Sequence, residues 1–308
     1  MAFQIFSPFI NRKPWAAALI ALFVTPMGGM FYLGRGAMGL AYLLLLIVVV
    51  LISHPALEDG IVSVITLVAA VHCYLIAKKQ AGLVPRQWFS RWHAIAILLM
   101  IPIGAGILWE NFNMPSRSML PNVKVGDHLY VSKYAYGYSR YSFPEDISAI
   151  DGRWFFTPPE RGDIVVFKLP TDPKVDFIKR IVGLPNDRIQ IKGGILHING
   201  KPVDRVPAGE YSRIDPYTGD DVSVPQYKET LPNGVEYLIL EETDNGLMDE
   251  TPVYEVPPGH YFALGDNRDS SRDSRFLQDF GYVPAENLVG RLAIVYWNSE
   301  DNSLPFLD

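Results

Sequence analysis

Apolar residues dominate the first hundred positions in long runs, and beyond about residue 110 they give way to short alternating segments. A helix crosses a bilayer with roughly 17–25 predominantly apolar residues. Residues 37–53, 61–77 and 92–109 meet that requirement. A fourth run, 15–34, is apolar but interrupted by Thr25-Pro26-Met27-Gly28-Gly29. Such a break predicts either a broken spanning helix or a re-entrant hairpin, whose irregular backbone must be covered by protein. The apolar material continues far past the core of a cleavable leader, so a removed N-terminal segment is not expected.

From residue 111 the period changes to two. Segments 128–134, 164–169, 177–182, 188–191, 195–198, 236–240, 260–264 and 292–297 combine β-branched and aromatic residues and end in Gly, Pro, Asn or Asp. Gly193-Gly194 and Asn199-Gly200 mark tight turns, Asn-Gly being the stronger hairpin signal. Residues 202–258 are polar, Pro-rich and weakly patterned, and are expected to form an insertion of hairpins and loops. The chain therefore divides into an N-terminal transmembrane α-helical region, 1–110, and a mainly-β domain, 111–308.

Charge sharpens this division. Residues 15–77 carry only Arg35, Glu58 and Asp59, far fewer than the quarter of charged residues usual in soluble sequence. Residues 1–110 have net charge +4 and the remainder −10, which argues against nucleic acid as a partner. Lys78, Lys79, Arg86 and Arg91 lie between the last two runs, so that loop is expected in the cytoplasm. Glu58, Asp59 and everything after Trp109 then fall outside. If 15–34 is a hairpin, Arg12 and Lys13 are also inside; a full span would put them outside. Three spans plus a hairpin is the preferred reading, and both versions export the β domain. The single Cys73 lies in an apolar run, so no intrachain disulfide is available and its thiol is expected to be inert.

The exported domain has no zinc motif, P-loop, dinucleotide fingerprint or Gly-x-Ser-x-Gly elbow, and neither a metal nor a cofactor is expected. His128, His197 and His260 are its only histidines, and none lies in a nucleophile motif. Three segments offer other chemistry. Met114-Pro115-Ser116-Arg117-Ser118-Met119-Leu120-Pro121 follows the last apolar run; on composition alone it is a connector. In Asp176-Phe177-Ile178-Lys179-Arg180-Ile181-Val182-Gly183, alternation puts Phe177, Lys179 and Ile181 on one face. There Lys179 is either an edge-strand lysine or an amine desolvated among apolar neighbours, hence neutral near pH 7. The run from Gly265 to Arg275 (GDNRDSSRDSR) by itself is a solvated charged loop.

In order, Pro-Ser-x-Ser-Met-x-Pro, Arg161-Gly162-Asp163-Ile164-Val165-Val166-Phe167, Phe-Ile-Lys-Arg and Gly-Asp-Asn-Arg-Asp-x-Ser-x-Asp-Ser-Arg resemble type I signal peptidase, the bacterial leader peptidase. The likeness runs from about Met114 to Trp297. It implies a signal-peptidase-like β fold and a membrane-bound serine endopeptidase that removes signal peptides from exported preproteins after small residues, of Ala-x-Ala type. By that resemblance Ser118 is the nucleophile and Lys179 the general base, with the Ser118 N–H and Ser116 hydroxyl as oxyanion hole. Ser271 would orient the lysine, and Asp273 and Arg275 would hold their loop. Met114, Pro115, Met119, Val123, Phe177 and Ile178 would line the substrate pocket. The implied setting is the bacterial inner membrane, multi-pass, with the catalytic domain on the periplasmic face and partners limited to preprotein signal peptides and lipid. Departures from the family pattern are Arg117 for a common Gly, Phe177 for Tyr and Asn186 for Gly, together with a longer membrane region. Two other readings remain at this point: a non-catalytic membrane protein with a degenerate exported domain, and a self-cleaving repressor using the same dyad.

Overall fold

The computed structural model describes residues 9–23, 25–52, 55–79, 83–85, 104, 106–143, 152–214, 219–243 and 245–305. The chain separates into two units, Met1–Ala105 and Gly106–Asp308. Most of the apolar run 92–109 lies outside the described residues.

In the first unit β1 (Phe9–Asn11) leads into α1 (Pro14–Phe23), α2 (Pro26–Tyr32), α3 (Gly36–Ile52), α4 (Pro55–Lys79) and β2 (Leu83–Pro85), which pairs antiparallel with β1. The interrupted run 15–34 is thus two helices. Thr25 is extended and its Oγ1 accepts the Gly28 N–H at 2.9 Å, while Pro26 occupies the first turn where no N–H is needed. With 10 residues, α1 rises about 15 Å, half the hydrocarbon thickness of a bilayer. Gly29 lets α1, α2 and α4 meet: a Cβ there would lie 2.6 Å from Ala21 Cβ and 2.9 Å from Cys73 Sγ. Among the described residues, one stretch, Ile61–Lys79, is long and apolar enough to cross a membrane.

The second unit is built from strands, β3 (Trp109–Asn113), β4 (Asp127–Ser132), β5 (Ile164–Leu169), β6 (Asp172–Gly183), β7 (Arg188–Lys192), β8 (Ile195–Ile198), β9 (Lys201–Pro202), β10 (Asp204–Ile214), β11 (Asp221–Thr230), β12 (Glu236–Leu240), β13 (Tyr254–Glu255), β14 (His260–Leu264), β15 (Val283–Pro284) and β16 (Leu288–Asn298). Seven of them form one sheet in the order β15-β14-β6-β5-β16-β4-β3. A four-stranded sheet, β13-β7-β8-β9, and a three-stranded one, β10-β11-β12, complete it.

Alternation explains why the large sheet is buried on both faces. In β5, Val165 and Phe167 join a cluster with Ile181, Tyr261 and Phe280, whereas Val166 joins Met114, Met119, Leu129 and Val131 on the other side. Strand β6 changes character along its length. Asp172–Asp176 is exposed and Lys179–Gly183 is buried, so the strand runs from solvent into the core and carries Lys179 with it.

Candidate active site

Three segments converge on Lys179: the loop 114–126 between β3 and β4, strand β6, and the loop 265–275 after β14. Lys179 pairs with Val165 of β5 in the interior of the sheet and is 2 % exposed. Its Nζ donates to Ser118 Oγ at 2.6 Å and to the Ile178 carbonyl at 2.8 Å. The ammonium also lies 5.5 Å from the Phe177 ring centroid. Burial pushes the Lys179 pKa down to about 8; Asp273 and Asp266 oppose that fall and Arg275 adds to it. A hydroxyl bonded to such an amine can lose its proton to it as the oxygen attacks a carbonyl. Ser116 Oγ is 3.2 Å from Ser118 Oγ. Among the described residues no acceptor within the fold takes the Ser118 N–H, which leaves it available to a developing oxyanion.

The histidines belong elsewhere. His128 stacks on Trp297 at 4.6 Å between centroids, and His197 Nδ1 and His260 Nδ1 lie 2.9 and 3.0 Å from the carbonyls of Ile195 and Pro258. None contacts Ser118.

The loop carrying Ser118 is held by groups that the resemblance did not single out. Asn267 N–H donates to the Ser118 carbonyl at 3.1 Å, and its Nδ2 donates to the Arg117 carbonyl at 3.1 Å. Arg117, beside Ser118, is therefore held through its backbone carbonyl. Leu120 packs with Val224 and Leu240, tying the 202–258 segment to this loop. Gly265 permits the closest approach: a Cβ there would sit 2.1 Å from Ser271 Oγ and 2.5 Å from the Ser118 carbonyl oxygen. Gly265→Ala must move one backbone or the other. It is expected to cut kcat/KM roughly 100-fold, the scale of an ångström-sized misplacement of a reacting group. Steady-state cleavage rates of the variant check this.

Three arginine–carboxylate forks fix the loop 265–275. Arg275 meets Asp273 at 2.9 and 3.0 Å and also donates to the Arg268 carbonyl at 2.6 Å. Burial raises the Asp273 carboxyl, but Arg275 and the Gly265 N–H outweigh it and hold the group below its ordinary value. Arg180, next to Lys179 on β6, clasps Asp266 at 2.8 and 2.7 Å. Arg268 clasps Glu229 at 3.0 and 2.5 Å. Tyr237 joins the last two, with Arg180 stacked 4.1 Å over its ring and its hydroxyl donating to Glu229 at 2.5 Å.

Ser271 departs from what the resemblance implies. It is buried against Gly265 and beside the Asp273 carboxylate, which it helps to hold low, while the Lys179 amine is directed at Ser118 and the Ile178 carbonyl. Ser271 here faces Asp273 and Gly265, and the hydrogen bonds of the amine go to Ser118 and Ile178 instead. The six residues expected at the pocket also divide. Met114, Met119 and Val123 are closed into one core cluster with Ile178 packed against it, and Phe177 stacks edge-on against Phe280 at 5.1 Å in another. Of the six, Pro115 is exposed and Phe177 and Ile178 are half-buried, so only these offer surface to a ligand.

Comparison with known proteins places the chain in a family. The family model described as signal peptidase, peptidase S26, matches residues 86–297. Signal peptidase I of Rickettsia akari is 39% identical over 225 residues, covering 70% of this chain and 81% of that one. Its counterpart in Rickettsia conorii is 38% identical over 223 residues, covering 70% and 80%. The crystal structure of a signal peptidase I from Enterococcus faecalis aligns at 26% identity over 44% of this chain and 98% of that one, with a TM-score of 0.25. The protein is a serine endopeptidase with a mainly-β catalytic domain. More particularly, the chain belongs to the signal peptidase family, peptidase S26, whose activity is the hydrolysis of signal peptides from preproteins.

Proposed function

We propose that Ser118 and Lys179 form the catalytic dyad of a membrane-bound signal peptidase that cleaves after small residues of Ala-x-Ala type. One observation carries the reading: a 2.6 Å hydrogen bond between the Ser118 hydroxyl and an amine that is 2 % exposed. In its neutral form Lys179 takes the Ser118 proton as the oxygen attacks the scissile carbonyl, then returns it to the departing amine. The Ser118 N–H and the Ser116 hydroxyl receive the oxyanion. The forks at Asp273–Arg275 and Asp266–Arg180 act through position, keeping the walls around Lys179 in place. Pro115, Phe177 and Ile178 meet the substrate side chains, while Met114, Met119 and Val123 limit pocket depth from behind, so large side chains collide. Ile61–Lys79 supports a membrane anchor, and the basic cluster at 78–91 supports export of the β domain.

The base sets the pH dependence. With Lys179 at about 8, the neutral form falls tenfold for each pH unit below that value. For the full chain in detergent, kcat/KM on a peptide with Ala at the first and third positions before the cut should rise with pH and level off above about 8. Leu at either position should abolish cleavage. A profile centred near 6.5, the ordinary histidine value, would count against the lysine, and equal cleavage of the Leu peptides against the small pocket.

A further inference from the structure

We propose that Glu241, Asp249 and Asp269 form a binding site for a hard divalent cation, calcium foremost, that fastens the loop after β12 to the loop 265–275. Glu241 directly follows β12, Asp249 lies in the segment before β13, and Asp269 is two residues from Ser271. One carboxylate oxygen from each lies within 4.8 Å of the other two, the separation expected of ligands placed 2.3–2.6 Å from a shared calcium ion.

Two buried atoms point to a ligand independently of that clustering. Glu241 and Asp249 are 2 % and 1 % exposed, yet Glu241 Oε2 and Asp249 Oδ1 have no hydrogen-bond partner. A buried carboxyl oxygen without a hydrogen-bond partner is costly, and two of them in one cluster are more so. Two of the other oxygens are oriented by backbone. Asp269 Oδ2 accepts the N–H groups of Glu242 and Thr243 at 2.7 and 3.1 Å, and Asp249 Oδ2 accepts that of Gly246. Gly246 closes over the group: a Cβ there would lie 2.6 Å from Asp269 Oδ1 and 3.1 Å from Asp249 Oδ2.

The two nearby arginines, whose charge is felt at Glu241, are anchored on other groups. Arg268 is committed to Glu229, and Arg205 lies 4.5 Å over the Tyr227 ring and donates to the Gly194 carbonyl at 3.3 Å. Three carboxylates offer oxygen only, which selects calcium, magnesium or manganese over the softer metals. An irregular set on a loop suits calcium, since magnesium demands a near-ideal octahedron and gives up its water reluctantly. The positions 241, 249 and 269 follow no linear metal motif, which is why the sequence predicts none.

The test reads binding and not proteolysis, so it stands apart from the dyad. The full chain in detergent is stripped with chelator and titrated calorimetrically with calcium chloride or magnesium chloride, with melting followed in parallel. One calcium ion per chain should bind, raising Tm by roughly 5–10 °C at a hundredfold excess over Kd. Magnesium should give less than half that shift. Glu241→Gln and Asp249→Asn should each weaken calcium binding at least tenfold, and Asp269→Asn, on the solvent side, provides a variant whose folding is not at issue. Absence of binding heat and Tm shift at ~10 mM calcium, roughly tenfold above the ~1 mM weak limit for extracellular calcium modules, overturns the site. So does an unchanged calcium response in Asp269→Asn, and an equal effect of magnesium overturns the assignment to calcium.

Discussion

Replacing Lys179 with Met is expected to lower kcat by at least about 10⁴-fold while leaving the folded protein as stable as before or more so. The loss of rate follows because, among the described residues, the Ser118 hydroxyl then has no base within reach: His128, His197 and His260 contact other groups, and Arg180 is bound to Asp266. Removal of one member of a nucleophile–base unit costs this order of rate in serine hydrolases. Arginine should fare no better, since a guanidinium stays charged and cannot accept a proton. The stability side has the opposite sign. A lysine held at about 8 in the fold and at 10.5 when free costs the folded state about 3 kcal/mol at pH 7. Between those two values the unfolded chain binds more protons, so wild-type stability should climb with pH from about 8 to about 10.5. Denaturant midpoints of Lys179→Met should lack that climb. Activity that survives in the variant, or a stability curve identical to the wild type, would remove Lys179 from the proposed role.

The part of this site legible in the sequence was the part with a local pattern. Strand alternation in FIKRIV places Lys179 beside Phe177 and Ile181, and burial of the second half of β6 makes that face dry. The β-rich domain was legible for the same reason, as was the break at Thr25-Pro26, where capping chemistry is written in neighbouring residues. Ser118 alone reads as a connector serine; only the order of the four blocks distinguished it. What stayed hidden depends on distant residues meeting. Glu229 sits in a polar, weakly patterned stretch, and nothing near it in sequence reveals that it neutralises Arg268 across 39 positions. Gly265 and Asn267 were visible as letters of a motif, but their task is contact with the Ser118 and Arg117 carbonyls, about 150 positions away. Ser271 shows the converse. Its motif position implied a bond to Lys179, yet the amine is turned towards Ser118 and the Ile178 carbonyl.

Breaking the Arg268–Glu229 fork should be the most destabilising single change in the loop 265–275. Both partners are almost fully buried, at 2 % and 0 % exposed, and the pair is bidentate, with the Tyr237 hydroxyl as a third member. Removing one partner of such a pair leaves an uncompensated charge and costs about 3–5 kcal/mol. For a domain of this size that is a Tm lowered by roughly 10 °C or more. Glu229→Leu is the sharper test, because Arg268 must then remain charged without its carboxylate. The double variant Glu229→Leu/Arg268→Met should recover most of the lost stability, since two apolar side chains replace two desolvated ions. Activity should not recover in parallel. Arg268 Nε also holds the Gly265 carbonyl at 3.2 Å, and Gly265 in turn abuts the Ser118 carbonyl. A double variant that melts like the wild type but cleaves about tenfold more slowly would separate the two effects, a bound carbonyl being worth about a kilocalorie per mole. If the single and double variants melt alike, the fork contributes through packing and not through charge.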